Sequence, residues 1–172
     1  MFGTMVVLAN RDESHIVKAA FPIIPMISDY GFSDPEAMTL EERMTTKQVK
    51  LCPNMNTYVS NSLNMFKGMH LMWKYIAKDL DADWKDPHLF PSKATDELIK
   101  KMPPTIIFSA EFDIFITESE RMARRMRQNG KLLEFCCIPG ISHGHYMYPH
   151  LKCYRVFYDA YKLAVDEYVK NY

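Results

Sequence analysis

The strongest constraint on the fold is a strand, helix, strand pattern in the C-terminal half of the chain. Thr105–Ala110 is a run of β-branched and aromatic residues, and Leu132–Ile138 is a second such run. Between them, Thr117–Gln128 has a helical pattern that stops at an Asn-Gly pair. Strands joined through a helix in one sheet are parallel, because such crossovers are right-handed. The pattern therefore predicts an α/β fold with a parallel sheet.

Further elements of this architecture flank the unit. Met1–Ala9 is apolar and ends at polar residues, which is typical of the last turns of a helix. Residues 15–27 form a nearly continuous apolar run of the kind found in buried parallel strands, and two prolines place its later half at the strand end. Pro149 precedes a long amphipathic pattern that predicts a C-terminal helix. We expect one domain over residues 1–172 with about three parallel strands and flanking helices.

Residues 29–95 depart from this regular pattern. Two segments begin like helices, with a capping residue ahead of acidic first turns, and residues 61–80 carry apolar side chains at helical spacings. We interpret residues 29–95 as a mostly helical insertion or lid-like segment. Such a segment usually covers either a pocket or the end of a sheet.

Charge and hydropathy exclude several classes of partner. The 21 basic and 21 acidic residues give a net charge of zero, so nothing indicates nucleic acid or an anionic membrane surface. The apolar start of the chain lacks a basic region and is too short for a signal peptide or a membrane span. We expect a cytoplasmic protein without a membrane span.

Cysteines and histidines show no metal-binding pattern. The four cysteines lack ligand spacing, and we expect them to be reduced thiols in the core. Three of the histidines are scattered singly, with no spacing that suggests zinc. We predict neither a metal nor a cofactor. The cysteines are Cys52, Cys136, Cys137 and Cys153, and the scattered histidines are His15, His70 and His88.

An acid and a histidine each follow one of the two predicted strands. Asp113 comes after the first run and His143 after the second. In parallel sheets, ligands meet the loops at the carboxyl ends of the strands. A carboxylate that orients an imidazole is useful in catalysis when a nucleophile stands on the other side of the ring. The simpler alternatives are that Asp113 caps its own turn and that His143 is a loop histidine.

Two short motifs surround this pair: Ala-Glu-x-Asp at 110–113 and Pro-Gly-x-x-His-Gly at 139–144. With them, the chain resembles the C-terminal half of the hormone-sensitive lipase and arylacetamide deacetylase group of α/β-hydrolases. The Asp-Pro-His-Leu-Phe-Pro segment at 86–91 also resembles the Ser-Pro-Leu loop of that family. The resemblance implies a partial α/β-hydrolase fold in which Asp113 is the triad acid and His143 is the triad histidine.

The chain departs from that family at the nucleophile. The family's serine lies in a Gly-Asp-Ser-Ala-Gly-Gly elbow and its oxyanion motif is His-Gly-Gly, and neither motif occurs in the 172 residues. Residues 140–144 do match the general Gly-x-Ser-x-Gly elbow pattern, which makes Ser142 a candidate nucleophile. However, the fold requires the acid and the histidine to follow the serine, and the side chains of neighbours such as Ser142 and His143 diverge. We therefore expect the nucleophile to be absent.

Two functions are compatible with these features. The first is the C-terminal part of a serine esterase, inactive alone, which would act on a small ester or acyl substrate once a second chain completed it. The alternative is a non-catalytic structural or binding protein, derived from the hydrolase fold and docked in a larger assembly. Both predict a protein partner that completes or covers an open sheet edge near residues 16–26, because unpaired strand edges invite pairing.

Overall fold

The strand, helix, strand unit is present, and it forms the centre of the fold. The structure is a computed structural model that describes residues 1–25, 27, 75, 83–113, 115–144, 148 and 150–170, with the backbone alone for Ser142 and Cys153. Its helices are α1 (Phe2–Asn10), α2 (Asp96–Lys101), α3 (Ile116–Gln128) and α4 (Lys152–Tyr168), and its strands are β1 (Thr105–Phe112) and β2 (Leu132–Ser142). Two single 3-10 turns lie at Ser14–Ile16 and Pro91–Lys93.

Strands β1 and β2 pair in parallel, and their register begins with Thr105 opposite Leu132. Helix α3 connects them and contacts both strands. The predicted α/β architecture with a parallel sheet is therefore confirmed. Because both strands run in the same direction, their carboxyl ends and the loops that follow lie at the same edge of the sheet.

The predicted strand at residues 15–27 is not continuous. This segment contacts the other side of β1 only through parallel bridges at Ala20 and Ile23. The Pro22 carbonyl accepts a hydrogen bond from the Phe108 N–H at 2.9 Å, and the Ile24 N–H donates to the Phe108 carbonyl at 2.7 Å, but proline itself has no N–H to donate to β1. Ile24 then has a φ of 43°, which no extended strand contains. The segment extends the sheet without forming a regular strand.

The core lies on both faces of this sheet. Alternate residues of β1 point to opposite faces, so Ile107 packs in one cluster while Ile106 and Phe108 pack in the other. The first cluster takes apolar residues from α1 and α3, and the second takes them from α4. On the second face, the Phe108 ring meets the Phe157 ring edge to face at a centroid distance of 5.7 Å. Helices therefore cover both sides of the parallel pair.

Arg125 joins α3 to the segment before α2. Its guanidinium donates to the carbonyl oxygens of Ser92 and Ala94 and to Asp96 Oδ1, the last at 2.8 Å. Thr95 caps α2 by accepting the Leu98 N–H at 3.2 Å. The charge pattern of the helix alone indicates that this arginine is exposed to solvent. In the structure, its guanidinium instead attaches α3 to the segment before α2.

The predicted insertion at 29–95 lies mostly outside the described residues, and the helix predicted at 61–80 lies outside them except for residue 75. Its described end, from residue 83 to residue 95, consists mainly of turns. The single-domain assignment stays a prediction. Within the described part of the chain, no helix is long and apolar enough to cross a membrane.

Helix α1 lies against the turn that contains His88. A Cβ atom placed on Gly3 would stand 2.7 Å from the His88 carbonyl oxygen, which is closer than real Cβ atoms come to other atoms. At the other end of the helix, Asn10 Nδ2 lies 2.9 Å from His88 Nε2. Both ends of α1 therefore contact the same residue of this turn.

This contact predicts that Gly3→Ala destabilises the protein. Alanine normally stabilises a helix by about 0.5–1 kcal/mol relative to glycine. Here the new methyl group would meet a backbone oxygen, and we expect the free energy of unfolding to fall by about 1–3 kcal/mol. Urea denaturation measures the change, with Thr4→Ala on the exposed side of α1 as the matched control. A Gly3→Ala variant as stable as the parent would contradict the close approach.

Candidate active site

Asp113 is the first residue after β1, and its surroundings fix its conformation. Its N–H donates to the Ala110 carbonyl at 3.1 Å, and its Oδ1 accepts the Phe115 N–H at 2.7 Å. The residue is 3% exposed. The bond to Phe115 is the local aspartate turn expected of an aspartate after a strand. It engages Oδ1 and turns the other carboxylate oxygen towards the neighbouring loop.

His143 is the first residue after β2, and it contacts that second oxygen. Its Nδ1 lies 3.0 Å from Asp113 Oδ2. The carboxylate is fully buried while the imidazole is 28% exposed. The His143 ring also meets the Phe115 ring edge to face at a centroid distance of 4.9 Å. The structure thus brings together the two residues that the sequence singled out.

This geometry assigns different tasks to the two ring nitrogens. A carboxylate accepts a hydrogen bond and cannot donate one, so the Asp113 contact favours the tautomer with its proton on Nδ1. Basic chemistry of a neutral His143 then falls to Nε2. An imidazole held in this way by a buried carboxylate is suited to proton transfer with a hydroxyl group.

The backbone of Ser142 belongs to a strand. It is the last residue of β2 and pairs with Phe112 in the sheet register. An elbow places its serine on a sharp turn between a strand and a helix. The next helix in the described part of the chain begins only at Lys152. This backbone geometry argues against Ser142 as a nucleophile.

The expectation that the cysteines lie in the core is wrong for Cys137. Cys137 is exposed and Cys136 is half-buried, because β2 pairs with β1 on one side only within the described sheet. Partial burial and the Glu134 carboxylate raise the pKa of Cys136 to about 11. Partial burial and the carboxylates of Glu111 and Glu120 raise the pKa of Cys137 to about 11. Cys52 and the side chain of Cys153 lie outside the described part of the chain.

A second aspartate and histidine pair lies in the turn before α2, and sequence reasoning missed it. Asp86 Oδ1 accepts the His88 N–H at 2.8 Å and lies 2.7 Å from His88 Nδ1. Although partial burial acts to raise it, these hydrogen bonds lower the pKa of Asp86. The imidazole bridges Asp86 and Asn10, so this pair attaches the turn to α1. The sequence signal for this pair was the Asp-Pro-His segment, because an aspartate in a turn often accepts a hydrogen bond from the backbone N–H two residues later.

Comparison with known families agrees with this fold. The family model described as alpha/beta hydrolase fold matches residues 3–147. The chain therefore belongs to the alpha/beta hydrolase family, and the family resemblance noted in the sequence is confirmed. A search of the curated proteins found no match.

Solved esterase structures show the same fold. Carboxyl esterase 2 from the fungus Tuber melanosporum is 15% identical with a TM-score of 0.65, over 97% of this chain and 50% of that chain. The hyperthermophilic esterase from the archaeon Pyrobaculum calidifontis is 19% identical with a TM-score of 0.64, over 96% of this chain and 46% of that chain. Brefeldin A esterase, a bacterial homologue of human hormone sensitive lipase, is 17% identical with a TM-score of 0.60, over 95% of this chain and 41% of that chain. The chain spans about half the length of these structures.

The hydrogen bonds of Asp113 predict that two substitutions of this residue lower the free energy of unfolding by different amounts. Asp113→Ala leaves the buried Phe115 N–H without its acceptor, and we expect the free energy of unfolding to fall by about 1–3 kcal/mol. Asp113→Asn keeps an oxygen that can accept this N–H, so its loss should be smaller. Urea denaturation compares them, with Asp159→Ala on the exposed side of α4 as control. Equal losses in Asp113→Ala and Asp113→Asn would contradict the role of the Phe115 bond.

The raised pKa values predict slow alkylation of Cys136 and Cys137. Below their pKa of about 11 both are protonated, and the thiol is the unreactive form. We expect about a hundredfold less thiolate at pH 8 than an ordinary cysteine has, and labelling by iodoacetamide that rises with pH up to about 11. Peptide mass spectrometry measures each site, with the same sequence as a short peptide for control. Labelling of Cys137 at the peptide's rate at pH 8 would contradict the raised pKa.

Proposed function

We propose that this chain is the part of a carboxylic-ester hydrolase that supplies the catalytic acid and histidine. The observation that carries the proposal is the contact of 3.0 Å between the buried Asp113 Oδ2 and His143 Nδ1. Membership of the alpha/beta hydrolase family and the fold shared with esterases support it. The nucleophilic serine would come from outside residues 1–172.

In the complete site, His143 would move the proton and Asp113 would orient it. Nε2 would accept the proton of the serine hydroxyl as its oxygen attacked the ester carbonyl, and it would then return that proton to the leaving alkoxide. A water molecule would release the acyl group by the same exchange. The Asp113 carboxylate would stabilise the imidazolium that forms between these transfers.

Without the serine, Asp113 and His143 have no hydroxyl group to activate. Loss of the nucleophile removes about a millionfold of kcat in a serine protease where it has been measured. The elevated pKa of Cys136 and of Cys137 makes neither thiol a ready substitute. We therefore expect negligible turnover from residues 1–172 alone.

The sheet edge formed by residues 20–24 supports a protein partner. The backbone groups of Ala20 and Ile24 form hydrogen bonds with β1 and with the residue before it. Within the described residues, the backbone groups of Phe21 and Ile23 form none. A cleft of about 570 Å³ lies beside this edge, between the first turn of α1 and Pro22–Pro25. Unpaired backbone next to apolar surface favours pairing with a further strand. We propose that a second polypeptide, carrying the serine, pairs here.

The same edge also supports the alternative function. A structural or binding protein derived from the hydrolase fold would need only the surface at Phe21 and Ile23, and it would retain Asp113 and His143 without using them. Under this alternative, a stable complex forms and no hydrolysis accompanies it. Activity in a complemented complex therefore separates the two functions.

A fluorophosphonate probe, which reacts with activated serines, tests the proposal. We would compare the purified chain alone with the chain co-expressed with the elbow-containing half of the Pyrobaculum calidifontis esterase. We expect no labelling of the chain alone and labelling of the elbow serine in the complex. His143→Ala in the complex should lower hydrolysis of a small ester by about a thousandfold or more.

The matched controls are Ser142→Ala and His150→Ala, neither of which should change labelling or hydrolysis in the complex. Labelling of the chain alone that disappears in Ser142→Ala would contradict the absence of a nucleophile. A stable complex without labelling would favour the structural alternative.

A further inference from the structure

Strand β2 contains a bulge just before the histidine. The parallel register is regular from Ile106 opposite Glu134 to Ala110 opposite Ile138, and the next pair is Phe112 opposite Ser142. One residue of β1 therefore faces three residues of β2, and among these three Gly140 has a φ of 74°. A bulge of this kind bends its strand and changes the direction of the residues that follow it. The residue that follows β2 is His143.

The residue of β1 that faces the bulge is Glu111, and its side chain reaches across to it. Glu111 Oε2 accepts the Gly140 N–H at 2.8 Å. The bulge removes this N–H from the regular ladder of backbone bonds, and the carboxylate replaces the missing backbone acceptor. Hydrogen bonds from an N–H to an ionised carboxylate are stronger than those to a neutral oxygen.

This bond joins the bases of the two loops that carry the site. Glu111 precedes Asp113 by two residues, and Gly140 precedes His143 by three. Asp113 and His143 themselves make a second polar contact between the two loops. We propose that Glu111 is a positioning residue, which acts through Gly140 to hold the His143 ring against Asp113. Its catalytic meaning depends on the function proposed above, but the geometry it controls can be measured without activity.

Two substitutions remove this contact in different ways. Glu111→Ala removes the carboxylate, and Glu111→Asp keeps the charge but shortens the side chain by one methylene, which withdraws the oxygen from Gly140. Glu111→Gln keeps an oxygen at the original reach. Glu134→Ala, an exposed glutamate on β2, is the matched control.

Nuclear magnetic resonance of the full 172-residue chain provides two readouts. The first is hydrogen exchange of the Gly140 amide, which we expect to become about tenfold faster or more in Glu111→Ala and Glu111→Asp. The second is the ring nitrogen pattern of neutral His143. In the parent we expect the single tautomer with its proton on Nδ1, and in Glu111→Ala and Glu111→Asp a mixture of both tautomers. Glu111→Gln and Glu134→Ala should resemble the parent in both readouts.

A purely structural role would lower stability in Glu111→Ala without changing the tautomer of the folded protein. A folded Glu111→Ala or Glu111→Asp with the parent's His143 pattern would therefore overturn the proposal. If Glu111→Ala fails to fold, Glu111→Asp decides the question. If Asp113→Asn left the His143 pattern unchanged, that result would instead count against the proposed roles of Asp113 and His143, so failure of the two proposals can be told apart.

Discussion

The parallel pairing of β1 and β2 is the constraint on which the rest of the structure depends. Because both strands run in one direction, the residues that follow them, Asp113 and His143, lie at the same edge and meet at 3.0 Å. An antiparallel pair would place the ends of the two strands at opposite edges. The packing of α1 and α3 on one face and α4 on the other stabilises the pair and keeps water from its apolar faces.

Several polar groups at this edge have hydrogen-bond partners in the neighbouring loops. The two oxygens of Asp113 have separate partners, and Glu111 provides an acceptor where the bulge interrupts the ladder. Buried polar groups without partners are costly, so the buried bond from the Phe115 N–H to Asp113 favours this arrangement of the loop, whereas the bond from Gly140 to Glu111 is exposed. At Phe21 and Ile23, by contrast, the backbone groups have no hydrogen bond within the part of the chain that the structure describes, and this supports the proposed pairing with a further strand.

The sequence predicted most of the regular elements because each has a strong local signal. The helix that ends before Asn129 and the two apolar strands have periodicity and end signals that do not depend on distant residues. The run at 15–27 pairs with β1 in parallel at Ala20 and Ile23, but it forms no regular strand, because Pro22 has no N–H to donate and the backbone of Ile24 leaves the extended region. Cys137 was misjudged because a residue's burial depends on whether its strand lies at an edge, which composition does not encode.

The sequence by itself therefore determined the family, the parallel α/β arrangement and the identity of the acid and histidine candidates, since these depend on local patterns and short motifs. Only the tertiary structure decided that Asp113 Oδ2 faces His143 Nδ1, that Ser142 lies in a strand, and that Glu111 holds Gly140. The physical reason is that register, bulges and edges arise from pairing between segments distant in the chain. No single segment carries enough information to specify its partner.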